Sequence, residues 1–131
     1  MNKNCAKGTS AEVKFISEAD DRGWKIYMPL GHDHAADIII HFPPYLPVGV
    51  QVKTATYYPD RDAYGVSSSK GTKAKSVYIR GDFQILAAWL PDRKQFVLWR
   101  FDEIADRKKI YYTPRLHRQP DNWELLDSVL K

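Results

Sequence analysis

Asp37, Gln51 and Lys53 lie on two short runs of sequence that read as paired strands, and Glu12 lies on a helix before them. Two carboxylates, an amide oxygen and the Val52 backbone carbonyl are the kind of donors that Mg²⁺ takes, with water filling its other positions. A cation so held polarises a phosphodiester and helps deprotonate a water. An ammonium beside it, that of Lys53, can orient the water or stabilise the charge that builds at phosphorus. Mn²⁺ is expected to substitute for Mg²⁺.

A hairpin must bring these residues together. Residues 37–42 read Asp-Ile-Ile-Ile-His-Phe and residues 48–53 read Val-Gly-Val-Gln-Val-Lys, with Pro43, Pro44, Tyr45, Leu46 and Pro47 between them. Pairing residue 42 with 48 sets 37 opposite 53 and 39 opposite 51. Side chains alternate faces along a strand. Ile38, Ile40, Phe42, Val48, Val50 and Val52 then form one apolar face, and Asp37, Ile39, His41, Gly49, Gln51 and Lys53 form the other. A slip of one residue would bury Gln51 and Lys53 among aliphatic side chains, at a cost of roughly several kcal/mol unless they are paired.

Glu12 depends on the first helix, which the pattern places from Thr9 to about Arg22 with Gly23 as its stop. Phe15, Ile16 and Ala19 form the apolar stripe, and Glu12, one turn before Ile16, projects from the same side. Thr9-Ser10-Ala11-Glu12 also fits a capping box, in which Glu12 bonds back to the Thr9 amide. A cap and a metal ligand are alternative uses of one carboxylate, and both stand at this point.

The remaining elements follow in order. Trp24 to Met28 reads as a first strand, ended by Pro29-Leu30-Gly31, and the hairpin supplies the second and third. From Tyr57 to Ser76 the composition shifts to Tyr, Asp, Ser, Gly and Lys, the mark of a long loop or lid. Phe83 to Leu90 is apolar on both faces, as a central strand would be, and Pro91-Asp92-Arg93-Lys94 turns it into Phe96 to Phe101. Asp102 to Lys109 fits a short helix, Ile110 to Thr113 a short strand, and Asp121 caps a last helix to Leu130.

At Glu12, Asp37, Gln51 and Lys53 the chain resembles the PD-(D/E)XK nuclease superfamily: a helix acid, the acid that starts the second strand, the position of a second acid, and the lysine. The resemblance covers roughly residues 9–101 and is closest to the intron-encoded homing endonuclease branch, where a glutamine at the Gln51 position is known. Archaeal Holliday-junction resolvases are similar in layout but normally carry Glu there. The chain departs from the pattern in having Ala36 rather than Pro before Asp37, a neutral Gln51, and the 57–76 loop where a helix is usual.

The resemblance implies an α/β fold: a restriction-endonuclease-like core with a mixed central sheet, an N-terminal helix and a small C-terminal helical appendage. The length of 131 residues fits one domain, with the core at about 9–101 and the appendage at 102–131. The implied activity is Mg²⁺-dependent cutting of double-stranded or junction DNA by a homo-oligomer, a dimer or tetramer. Asp37, Gln51, the Val52 carbonyl and Glu12 would be the ligands. A resolvase, a phage or restriction nuclease, and a non-catalytic nucleic-acid-binding protein on the same fold are the alternatives.

Composition agrees with a folded, nucleic-acid-facing chain. The formal charge is +4, and it is uneven: residues 1–65 hold 7 Lys and Arg against 8 Asp and Glu, and residues 66–131 hold 13 against 8. Arg61, Lys70, Lys73, Lys75 and Arg80 are the candidate DNA contacts, with no acid between Val66 and Arg80. Arg107-Lys108-Lys109 and Arg115 to Arg118 form a second basic cluster. The lone Cys5 excludes an intrachain disulfide and fits a reducing compartment. With no membrane-length apolar stretch and no signal-like N-terminus, the expected location is the cytoplasm. His32-Asp33-His34 reads as a polar loop in preference to a zinc site, and His41 as a core or supporting histidine.

Overall fold

The computed structural model describes residues 3–30, 35–70 and 76–126. Helix α1 (Lys3–Asp21) begins before Thr9, so Thr9 and Glu12 are both interior. An interior amide already bonds the preceding turn, and the capping-box use of Glu12 is thereby excluded. Gly23, at φ 80°, ends the helix in the left-handed region, and the Trp24 N–H closes back on the Ala19 carbonyl at 3.0 Å.

The strands that follow are β1 (Lys25–Tyr27), β2 (Ile38–His41), β3 (Val48–Thr54), β4 (Thr56–Tyr58), β5 (Ala63–Ser67), β6 (Ser69–Lys70), β7 (Ser76–Val77), β8 (Ile85–Leu90), β9 (Gln95–Arg100) and β10 (Lys109–Tyr112). Helix α2 (Phe101–Ile104) separates β9 from β10. The central sheet runs β1-β2-β3-β8-β9, with β3 and β8 parallel and the other pairs antiparallel. It is the mixed sheet expected of the fold class, with the N-terminal helix against one face.

The hairpin register differs from the expectation by two residues. Ile38 pairs with Val50 and Ile40 with Val48, because the Tyr45 N–H bonds the Phe42 carbonyl and takes Phe42 into the turn. Phe42 is 43% exposed and stacks on Tyr45 instead of joining the core face. A shift of two preserves which face each side chain takes. It changes the facing partners: Asp37 lies level with Gln51 rather than with Lys53.

The segment expected as a lid is a second structural layer. Strands β4 and β5 pair with each other and β10 pairs with β5, making a three-stranded sheet. Tyr64, Val66, Ile110 and Tyr112 point inward from it onto Leu86, Ala88, Val97 and Trp99 of β8 and β9. Phe15 of α1 packs on the opposite face with Val50, Ile85 and Leu98. Strand β8 is therefore buried on both sides, as its continuous apolar run requires. The lid expectation failed because β5 shows only Tyr64 and Val66 as large inward residues, and its partner β10 is distant in sequence.

The C-terminal residues are integral to this core. Strand β10 supplies an edge of the second sheet, and Trp123, in the 3-10 turn Trp123–Leu126, packs on Phe15 and Phe96. Asn122 is buried and bonds both backbone groups of Leu98, accepting its N–H at 2.8 Å and donating to its carbonyl at 2.9 Å. A side-chain amide thus closes the free edge of β9. Asn122→Ala is expected to leave the Leu98 N–H buried and unpaired and to cost about 2 kcal/mol. The measurement is the urea midpoint, with Asn122→Asp as the companion variant that keeps only the acceptor.

Candidate active site

Strand β2 begins at Ile38, and this decides the site. The Asp37 N–H bonds the Val50 carbonyl at 2.9 Å, so Val50 turns its polar groups toward β2, and by alternation Val52 does too. At Val52, however, β2 has run out. The Val52 N–H is taken by Asp37 Oδ2 at 2.9 Å, and the Val52 carbonyl lies 3.4 Å from Gln51 Nε2. Gln51, only 7% exposed, donates its Nε2 to the same Asp37 Oδ2 at 2.8 Å. Asp37, Gln51 and both backbone groups of Val52 thus form one compact cluster at the end of a ladder.

Electrostatics bring in the other members. Burial pushes the Asp37 carboxyl above its ordinary range, against the lowering effects of the Val52 N–H and the Lys53 charge. Burial also raises Glu12, and the negative charge of Asp37 raises it further. Glu12 and Asp37 therefore sense one another from α1 and the sheet. Lys53 shares the Gln51 face of β3 and holds its Nζ 5.8 Å from the centre of the Tyr78 ring. Tyr78 is buried, and its hydroxyl is pushed up to about 12 by burial, then by Asp37 and Asp82.

Tyr78 is the member that sequence reasoning missed. It lies between the basic run and the central strand, where no periodicity marks an inward position, and its ring meets Lys53 only through the tertiary fold. Gly49, on the same face two residues before Gln51, is packed over: a Cβ there would stand 3.2 Å from Gln84 Oε1 and 3.6 Å from the Phe83 Cα. The Gly49 N–H donates to Gln84 Oε1 at 2.6 Å.

The remaining candidates lie elsewhere. Arg61 sits in the turn between β4 and β5 with its guanidinium over the Tyr111 ring, 5.8 Å away. Arg80 is exposed and pairs with Asp102 at 3.0 Å. The backbone of Lys70 is in β6, while its side chain, Lys73, Lys75 and His32-Asp33-His34 fall outside the described residues. His41 closes the far end of β2, opposite Lys25.

Among the described residues no group of three or more His, Cys, Asp or Glu is gathered as a metal site. Two carboxylates with an amide and a carbonyl nevertheless suit a small hard cation that keeps most of its waters. The raised acids are the specific observation in favour: both carry an electrostatic cost that a divalent ion would relieve. Gln51 fits the same charge balance. A third carboxylate there would add like charge beside Asp37 and would forfeit the amide donor that Asp37 now accepts.

No protein-family model matches the chain, and no curated protein matches it. Among solved structures it is similar to a bacterial homing endonuclease, I-Ssp6803I, with a TM-score of 0.80 and 22% sequence identity. The likeness covers 98% of this chain and 94% of that one, so it includes the second sheet and the C-terminal residues. The chain therefore has the fold of that endonuclease, with its N-terminal helix, mixed central sheet and small C-terminal element.

Proposed function

We propose that the protein is a divalent-metal-dependent DNA endonuclease. The observation that carries this reading is the Asp37–Gln51–Val52 cluster just before β2 begins, with Lys53 on the same face and Glu12 electrostatically coupled to Asp37. Asp37, the Val52 carbonyl, Gln51 through its amide oxygen, and Glu12 directly or through water would hold Mg²⁺ or Mn²⁺. The bound ion would supply charge neutralisation at the phosphate and a lower pKa for an attacking water.

The chain's own groups do the rest. Lys53, backed by the Tyr78 ring, presents its ammonium on the Gln51 face. From there it can hydrogen-bond the water that attacks in line with the departing oxygen, or a phosphate oxygen as negative charge builds on the oxygens around phosphorus. The Val52 N–H fixes Asp37 so that one carboxylate oxygen stays turned to the cluster. The fold likeness to a homing endonuclease supports a site-specific, homing-type role on double-stranded DNA, worked by a homo-oligomer in the reducing interior of a cell. A non-catalytic nucleic-acid-binding protein on this fold draws its support from Gln51, the neutral residue at the acid position.

Cleavage of supercoiled plasmid and of a synthetic four-way junction, with Mg²⁺, Mn²⁺ or EDTA, separates these readings. Metal-dependent cutting that falls at least about a hundredfold in Lys53→Ala supports the nuclease. Salt-sensitive binding without any cutting supports the binding protein. Tyr78→Phe is expected to keep most of the rate and Tyr78→Leu to lose more, since only the second removes the ring beneath Lys53.

Asp37→Asn tests the charge balance from the stability side. A carboxyl raised by folding binds more protons in the native state, so its penalty is absent below the unfolded pKa and complete above the folded one. The substitution is expected to abolish cutting yet raise the melting temperature at pH 8, on the order of a few degrees. The gain should shrink as the pH is lowered toward the ordinary carboxylate range, about 4. A variant less stable than wild type at pH 8 would show that the Asp37 hydrogen bonds outweigh its burial.

A further inference from the structure

A cleft of about 390 Å³ opens away from the cluster residues themselves. It lies between the turn that precedes β8 and the start of α2, with Arg80 and Arg100 on its walls and Phe83, Gln84 and Phe101 among its lining. Gln84 and Phe83 are the residues that cover Gly49 on the face shared with Gln51 and Lys53. The cleft and the cluster thus lie on one side of the sheet.

The floor between the two places is rigid. Tyr78, whose ring meets Lys53, packs edge-on against Phe83 at 4.8 Å, and Phe83 packs edge-on against Phe101 at 5.3 Å. Arg100 immediately precedes Phe101, and its backbone N–H is tied to Glu103 at 2.8 Å. On the opposite wall Asp82 accepts the Ile79 N–H at 2.9 Å and staples the turn that carries Arg80. Arg80 is held over the cleft by Asp102 at 3.0 Å, in a pair whose side chains are 81% and 66% exposed. A pair so exposed is weak and salt-screened, so the Arg80 guanidinium can exchange Asp102 for another anion at little cost.

We propose that this cleft is a backbone-phosphate seat for the same DNA strand that the cluster engages, with Arg80 and Arg100 as its two donors. It rests on the nuclease reading. Arginine suits the task because its planar fork takes two oxygens of one phosphate, and two such residues lining one cleft fix the strand in position as well as attract it. Asp102 acts as a placeholder: it keeps Arg80 turned over the cleft until a phosphate replaces it. The seat sets the register of the strand relative to Lys53 and reads no base.

The test is the salt dependence of binding to a 30-base-pair duplex, with Ca²⁺ in place of Mg²⁺ so that the DNA stays intact. Neutralising one phosphate contributes about 0.9 to the slope of log affinity against log salt. Arg80→Gln with Arg100→Gln is therefore expected to lower the slope by about one and the affinity by about tenfold. Asp102→Asn, which releases Arg80, is expected to act in the opposite direction and tighten binding severalfold. Lys94→Gln, in the separate cleft beside α1, should change neither. Melting temperatures of all variants control for folding.

An unchanged slope in the double variant overturns the phosphate seat while leaving the nuclease reading in place. Weaker binding of Asp102→Asn also overturns it. A wild-type protein with no salt-dependent binding at all overturns the nuclease reading itself, and the seat with it.

Discussion

A β-strand that begins two residues late shapes the candidate site of this protein. Strand β3 continues past the end of its partner β2, so the N–H and carbonyl of Val52 point to a side where no ladder exists. Buried backbone groups do not go unpaired. The Asp37 carboxylate takes the N–H and the Gln51 amide approaches the carbonyl, which places polar side chains inside a sheet that is otherwise packed with valine and isoleucine. The same vacancy in the ladder is what makes a carbonyl oxygen available beside a carboxylate. The end of a hydrogen-bonding pattern has become a place where chemistry can be done.

That arrangement costs stability, as the direction of the acid shifts shows. Asp37 and Glu12 are both raised by burial, and the Glu12 shift is increased by Asp37. In most of the core such a penalty would be removed by an apolar residue. Its retention where a lysine, an amide and a carbonyl outside the strand ladder converge fits a site that trades stability for function. Gln51 limits the cost by supplying a donor where a further charge would repel. Tyr78 supplies Lys53 with a polarisable ring on an otherwise apolar floor.

The layer that replaces the expected lid does more than cover β8. The chain crosses from β3 to the parallel strand β8 by way of β4 through β7, and returns at the C-terminus to complete the second sheet with β10. The crossover delivers Tyr78 to the face of Gln51 and Lys53 and Arg80 to the turn that follows. A rank of rings, Tyr78, Phe83 and Phe101, then joins the site to α2. With Asn122 sealing β9, the C-terminal residues stabilise the strand against which that face is built.

Local pattern alone determined the helix that carries Glu12 apart from its start, the two faces of the hairpin, the central strand, expected from Phe83 and found at Ile85–Leu90, and its return strand. Each rests on periodicity in neighbouring residues or on the high cost of burying Gln51 and Lys53. Face assignment survived a two-residue error in register because the side-chain period is two. Only the tertiary structure decided which residues confront one another across that hairpin, since a turn hydrogen bond at Phe42 moved the last strand residue back to His41. Only it could show β5 and β10 as partners, or Tyr78 beneath Lys53. Those contacts join segments far apart in sequence, and their energy comes from packing that no single segment expresses.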